Sequence, residues 1–212
     1  LEDQKWVLEN LVAVVERDNG HLDTGILGTK YLLNVLLEHD RADVAYQIIA
    51  QKDLPSWGWW LEQGATTLWE QWNGSESRNH IMFGDISAWF FKALGGINPD
   101  LTFPGFQHII LKPHVLGDLT SAKAEYQSIR GRIASEWRVR QGEFNLTVTI
   151  PPNTTATLSL PVMDATKLRE SGNRVAGLKG ITFLREEPGR LVYEIQSGTY
   201  DFAGPLAGGG AN

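Results

Sequence analysis

The chain has 212 residues, 42% hydrophobic and 21% charged, with 19 Lys and Arg against 25 Asp and Glu for a net charge of -6. That is enough chain for one large domain or two modest ones. The acidic balance, with no Lys/Arg cluster, argues against a nucleic-acid partner, which needs a basic patch to pair with phosphates. Cysteine is absent, which excludes disulfides, thiolate metal sites and a cysteine nucleophile, yet leaves the compartment open, since periplasmic and cytosolic chains can both lack it. No apolar run reaches the roughly 18 residues that a membrane-crossing helix needs. There is no signal peptide, and the opening at Leu1 rather than Met reads as internal, so a C-terminal piece of a longer protein is expected.

In the first hundred residues apolar positions recur with helical spacing: Val7, Leu11, Val14 and Val15, then Tyr31, Val35 and Leu36, then Val44, Ile48 and Ile49. Asp40 is a candidate N-cap for the third of these helices, because its side-chain oxygen can accept an orphan backbone N–H. A further helix is expected over residues 81–94, stopped by Gly95-Gly96 and by Pro99. Four or five such helices joined by polar loops fit αα-hairpins but are too few to close a helical toroid. The rest of such a ring would lie before Leu1.

Composition changes near residue 100, and after Pro104 the pattern is strand-like. Residues 107–111, 133–139, 144–150, 157–160 and 191–195 are short β-branched or alternating runs, separated by the turn signals Gly131, Gln141-Gly142, Pro151-Pro152-Asn153 and Pro188-Gly189. Phe144, Leu146, Val148 and Ile150 alternate with Asn145, Thr147 and Thr149, as in a half-buried antiparallel strand. The expectation is an α+β multidomain chain: αα-hairpins over residues 1–103, then an antiparallel β-sandwich over residues 104–212. The chain ends in a biased Gly208-Gly209-Gly210 run.

Five of the eight tryptophans fall between residues 57 and 72: Trp57, Trp59, Trp60, Trp69 and Trp72. Indoles bring apolar area and a polar N–H together, and sugar rings present C–H faces that lie well on them; core packing is their commoner use. If Trp57-Gly58-Trp59-Trp60 were a strand, its side chains would alternate and at least one indole would need a neighbouring surface or a ligand. Glu70, between Trp69 and Trp72, has two open readings. Either the indoles face inward and the carboxylate faces water, or all three line the rim of a pocket. His80 either caps the next helix or faces the same pocket. Glu62 is a weaker second carboxylate, with no spacing that demands proximity to Glu70. His21 with Asp23 hints at metal ligation, but the remaining histidines lack ligand spacing, and no metal or cofactor is expected. No Ser-nucleophile elbow or phosphate-cradling glycine loop is present.

Several strings, in one order along the chain, resemble the C-terminal part of bacterial α-L-rhamnosidases. They are Gly20-His21-Leu22-Asp23-Thr24-Gly25, Pro55-Ser56-Trp57-Gly58, the run from Glu62 through Gly64-Ala65-Thr66-Thr67-Leu68-Trp69-Glu70-Gln71-Trp72, Asn79-His80 with Phe83-Gly84, Pro104-Gly105-Phe106, and residues 150–156. The resemblance implies the end of an (α/α)6 catalytic barrel followed by a β-sandwich. It also implies inverting hydrolysis of terminal α-L-rhamnosides or rhamnose-containing polysaccharides, with Glu70 as general base, His80 on the sugar, and Trp57 and Trp72 shaping the sugar site. The loop from Asn73 to Arg78 is shorter than many members of the family carry.

Inversion needs a carboxylate to deprotonate water on one face of the ring and a carboxylic acid to protonate the leaving oxygen, the two about 6.5–9.5 Å apart. The family's acid lies in an earlier stretch opening with Cys-Pro, which has no match here, so the missing N-terminal part is an expected partner and the isolated chain is expected to be inactive. Competing readings are a carbohydrate-binding sandwich centred on Trp137, a purely structural sandwich, and another (α/α)6 glycosidase.

Overall fold

The computed structural model describes residues 2–208, which leaves the end of the glycine run outside the described residues. Cα packing divides the chain into two compact units, Leu1–Trp89 and Phe90–Asn212. The break lies upstream of the 103/104 division expected from composition, and the first strand already begins at Ile97. Three strand residues are too few to move a composition average.

In the first unit, helix α3 (Ala42–Ile49) packs on both α1 (Glu2–Arg17) and α2 (Ile26–Glu38), and α2 also meets the later helical turns. The core-facing positions are Val12 and Val15 of α1, Leu32, Leu33 and Leu36 of α2, and Val44, Ala45 and Ile48 of α3. Of the expected stripes, that of α3 holds at Val44 and Ile48 with Ile49 half-buried; α1 is shifted, with Val7 57% exposed and Val12 inward, and so is α2, where Tyr31 and Val35 are exposed and Leu32 and Leu33 join Leu36 inside. Trp6, Val7, Leu27 and Tyr31 form apolar surface left uncovered within this unit, so α1 and α2 are apolar on two sides, as in helices built to be packed on both.

Asp40 does not cap α3. It sits at φ 57°, and the following N–H of Arg41 returns to Leu36 O at 2.7 Å, closing α2. Asp tolerates this left-handed conformation better than most residues. Arg41 takes the position before α3 and forks onto Asp43 with two 3.0 Å bonds. The helix expected over residues 81–94 is present in three pieces of different pitch: a 3₁₀ turn at Ile81–Phe83, α5 at Asp85–Trp89, and a π-helical turn at Phe90–Leu94. Gly84 separates the first two.

The second unit is a sandwich of two sheets. Strands β1 (Ile97–Pro99), β2 (His108–Leu111), β6 (Thr155–Leu160), β9 (Ile181–Glu187) and β10 (Arg190–Ile195) form one, in the order β1-β2-β6-β10-β9. Strands β3 (Ser121–Ser128), β4 (Gly131–Arg140), β5 (Glu143–Ile150), β7 (Arg169–Glu170), β8 (Asn173–Arg174) and β11 (Gly198–Pro205) form the other, in the order β3-β4-β5-β11-β7-β8. Pairing is antiparallel except between β2 and β6, which run parallel because the connection from β2 passes through three strands of the opposite sheet. Phe144, Leu146, Val148 and Ile150 point into a core shared with Ile109, Leu111, Leu158, Leu160 and Ile195. Trp137 lies in that core at 0% exposure, its Nε1 donating to Leu94 O at 2.7 Å. A sugar platform on Trp137 is thereby excluded.

Carboxylates on the outer face of β3 and β4 are held by cations. Hydrogen bonds from Arg132 hold Glu125 below its usual range, and those from Arg138 do the same for Glu136. A carboxyl depressed in the folded state adds stability above its unfolded value and loses it as pH falls through the folded one. The thermal midpoint is therefore expected to stay level from neutral pH downward and to decline below about pH 4.5, less steeply in about 1 M salt because both pairs are exposed. Calorimetric melts across pH at two salt concentrations check this.

Candidate active site

Helix α4 (Trp57–Glu62) opens with Ser56, whose Oγ accepts from Trp59 N at 2.9 Å. The tryptophan run is thus helical, and Trp57 and Trp60 share its inward side at 7% and 2% exposure. Gly58 is required by close approach, since a Cβ there would lie 2.2 Å from Gln51 O. Trp60 stacks on Trp72 with ring centroids 4.7 Å apart and donates Nε1–H to Trp72 O at 2.8 Å. Trp57 meets Trp72 edge-on at 5.1 Å and donates to Phe83 O. Trp72 in turn packs on Phe83 and donates to Thr24 O at 3.0 Å, which ties the tryptophan cluster to the 20–25 loop.

The loop after α4 doubles back on itself. Glu70 N donates to Ser77 O and His80 N to Leu68 O, both at 2.8 Å, and the Thr67 hydroxyl donates to Arg78 O. These bonds place Glu70 and His80 on adjacent antiparallel segments. Buried Trp69 anchors the turn: Arg78 lies over its ring at 4.5 Å, and Gly74, at φ 70°, sits where a Cβ would come within 2.6 Å of the indole. Trp69 faces inward, while Trp72 and Glu70 are each half-buried.

Glu70 is half-buried. Its Oε2 accepts from Ser77 N at 3.3 Å, and no cation pairs with it among the described residues. His80 Nδ1 is buried with no hydrogen-bond partner among the described residues, an orphan that a ligand hydroxyl or water would satisfy. An open hollow of about 340 Å³ is lined by Leu54, Pro55, Gln71, Trp72 and Asn73, with neither Glu70 nor His80 in its lining. Of the four expected site residues, Trp72 lines this hollow and Trp57 backs Trp72 from behind. Glu70 and His80 share the doubled loop. Ser77 and Arg78, which hold that loop, had no signal in the sequence beyond their place after a turn.

Glu62 ends α4, exposed. His21 pairs with Asp53 rather than with Asp23: its Nε2 lies 2.8 Å from Asp53 Oδ1 and its Nδ1 3.1 Å from Asp18 O. The hydrogen bond from His21 holds the Asp53 carboxyl below its usual range. No group of three metal-ligating side chains occurs among the described residues.

Residues 2–94 match the family model for the bacterial α-L-rhamnosidase six-hairpin glycosidase domain, and residues 96–175 match that for the bacterial α-L-rhamnosidase C-terminal domain. The chain belongs to the bacterial α-L-rhamnosidases. An α-L-rhamnosidase of Streptomyces avermitilis is 35% identical over 210 residues, covering 94% of this chain and 19% of that protein. The crystal structure of the S. avermitilis enzyme complexed with L-rhamnose superposes with a TM-score of 0.82 at 34% identity, over 91% of this chain and 19% of that one. The α-L-rhamnosidase structure from Dictyoglomus thermophilum gives a TM-score of 0.81 at 35% identity, over 95% and 23%. This rhamnosidase-family chain thus spans about a fifth of the length of the relatives it matches, and its two structural units carry helical-hairpin and β-sheet signatures in the expected order.

Proposed function

We propose that this chain is part of a glycoside hydrolase that removes terminal α-L-rhamnose by inverting hydrolysis, with Glu70 as the general base. The observation that carries the reading is the state of Glu70: a half-buried carboxylate with one backbone N–H partner and no neutralising cation among the described residues. It lies within the segment that matches the glycosidase domain. A carboxylate so placed keeps lone pairs for a water proton, and the Ser77 N–H orients it without removing its charge. In this reading His80 Nδ1 takes a sugar hydroxyl, the exposed part of Trp72 offers a C–H-binding face, and Trp57 fixes the tilt of Trp72. The bound L-rhamnose of the S. avermitilis enzyme supports a rhamnoside as substrate.

An inverting reaction needs a second carboxyl, protonated and about 6.5–9.5 Å from the base. Glu62 ends α4 in solvent, and the family resemblance puts the acid in an earlier stretch that has no match in this chain. The 212-residue chain alone is expected to show no turnover of an aryl α-L-rhamnoside, and the full-length protein is expected to release rhamnose of inverted anomeric configuration, read by proton NMR. Turnover by the isolated chain that disappears in Glu70→Gln would overturn the assignment of the acid.

A further inference from the structure

The outer face of the first sheet carries a hollow of about 540 Å³ that the hydrolytic reading leaves unused. Its size falls within the roughly 300–1,000 Å³ of small-molecule sites. Three separate segments build it: the turn from Asp100 to Gln107, the start of β6, and the end of β10. Register explains why they meet. His108 lies opposite Thr155 in the parallel pair, and Glu194 lies opposite Thr157 in the antiparallel one, so all four share one face of the sheet. Two of the stretches behind the family resemblance, around Pro104-Gly105 and Asn153-Thr154-Thr155, converge here.

The walls are set before any ligand arrives. Both ring nitrogens of His108 are held, Nδ1 at 2.6 Å from Thr155 Oγ1 and Nε2 at 2.8 Å from Thr157 Oγ1. Phe103 stands edge-on to that imidazole at 6.0 Å with 46% of its surface open, on a turn fixed by Thr102 N donating to Asp100 Oδ1. The carboxylate of Glu194 and the side-chain amides of Gln107, Asn153 and Gln196 line the hollow with no hydrogen-bond or ion-pair partner among the described residues.

This lining selects a ligand class. No Lys or Arg contributes to it, while Asp100 and Glu194 do, which disfavours phosphates and uronates. Three amides supply N–H donors that an organic cation cannot use. An open aromatic face beside mixed donors and acceptors suits a ring with one C–H face and many hydroxyls. We propose that this hollow, bounded by Phe103, His108, Asn153 and Glu194, is a second saccharide-binding site that takes a neutral sugar of one or two units. It stands apart from the Glu70 reading and does not depend on it.

The test titrates the 212-residue chain with L-rhamnose, D-glucose, D-galactose and their methyl glycosides, and with D-galacturonate as the charged control. Saturation-transfer NMR and the His108 ring-proton shifts are the readouts. At least one neutral sugar is expected to saturate and to move the His108 resonances. Its Kd should rise about tenfold or more in Phe103→Ala and several-fold in Glu194→Gln, and stay unchanged in Glu70→Gln. Phe103 is exposed and Glu194 half-buried, and the His108 shifts report on the unaltered chain should either variant fail to fold. The proposal is overturned if no neutral sugar saturates, if galacturonate binds more tightly than every neutral sugar, or if binding is lost in Glu70→Gln and kept in Phe103→Ala.

Discussion

If Glu70 is the proposed general base, Glu70→Gln in the full-length protein is expected to lower kcat on an aryl α-L-rhamnoside by about 10²- to 10⁴-fold while KM stays within a few-fold. Glutamine has the shape of glutamate, and its carbonyl oxygen can still accept from Ser77 N. The ties that hold the loop, Glu70 N to Ser77 O and His80 N to Leu68 O, are backbone bonds that the substitution leaves alone. What disappears is the charge that draws a proton from water, an interaction that strengthens only as the transition state forms and therefore registers in kcat. Azide, which attacks without losing a proton, should restore part of the rate in the variant, an effect that a merely structural glutamate would not produce. A loss smaller than about tenfold, or no rescue, removes Glu70 from the base role.

The fold was legible where one face of an element is buried and the other is wet. Phe144, Leu146, Val148 and Ile150 alternate because β5 lies between two neighbours with the core on one side only. Edge strands carry no such signal: β3, at an edge of the second sheet, is largely exposed on both faces, and β9, at an edge of the first, has only Ile181 buried. Val12 was missed in α1 because that helix is apolar on more than one side, so periodicity alone cannot say which stripe turns inward. Trp57-Gly58-Trp59-Trp60 is too short for a period of 3.6 to show, and the preceding Ser56 cap was the available clue. The site divides in the same way. Glu70 and His80 stood out because aromatic neighbours and a turn surround them in sequence. The burial of Trp57 behind Trp72 and the orphan Nδ1 of His80 depend on contacts that no local pattern encodes. The hollow on the sandwich was invisible for the strongest reason: its three segments are brought together by the parallel β2–β6 and antiparallel β6–β10 pairings, which a sequence read locally does not reveal.

The largest stability effect is expected at Trp60, where substitution by alanine should cost the helical unit about 3–5 kcal/mol. Trp60 is 2% exposed and touches Trp69, Trp72 and Phe83 with ring centroids 5.8, 4.7 and 5.5 Å away. Truncation empties the middle of that cluster and leaves Trp72 O without the 2.8 Å bond from Nε1. Trp60→Phe keeps a ring and loses the donor, so its cost should be nearer the roughly 1–3 kcal/mol of an unsatisfied acceptor. Trp59, half-buried with an edge contact to Trp69 at 6.0 Å, should tolerate alanine better than Trp60 does. Urea unfolding followed by near-ultraviolet circular dichroism separates the three, because the stacked pair disappears only in the Trp60 variants. A cost below about 1 kcal/mol for Trp60→Ala would mean that the cluster is not the core of its unit. The same cluster fixes Trp72, which lines the hollow with Leu54, Pro55, Gln71 and Asn73. Under the proposed function, Trp60→Phe in the full-length protein should therefore raise KM for a rhamnoside more than it lowers kcat, since it loosens Trp72 and leaves Glu70 in place.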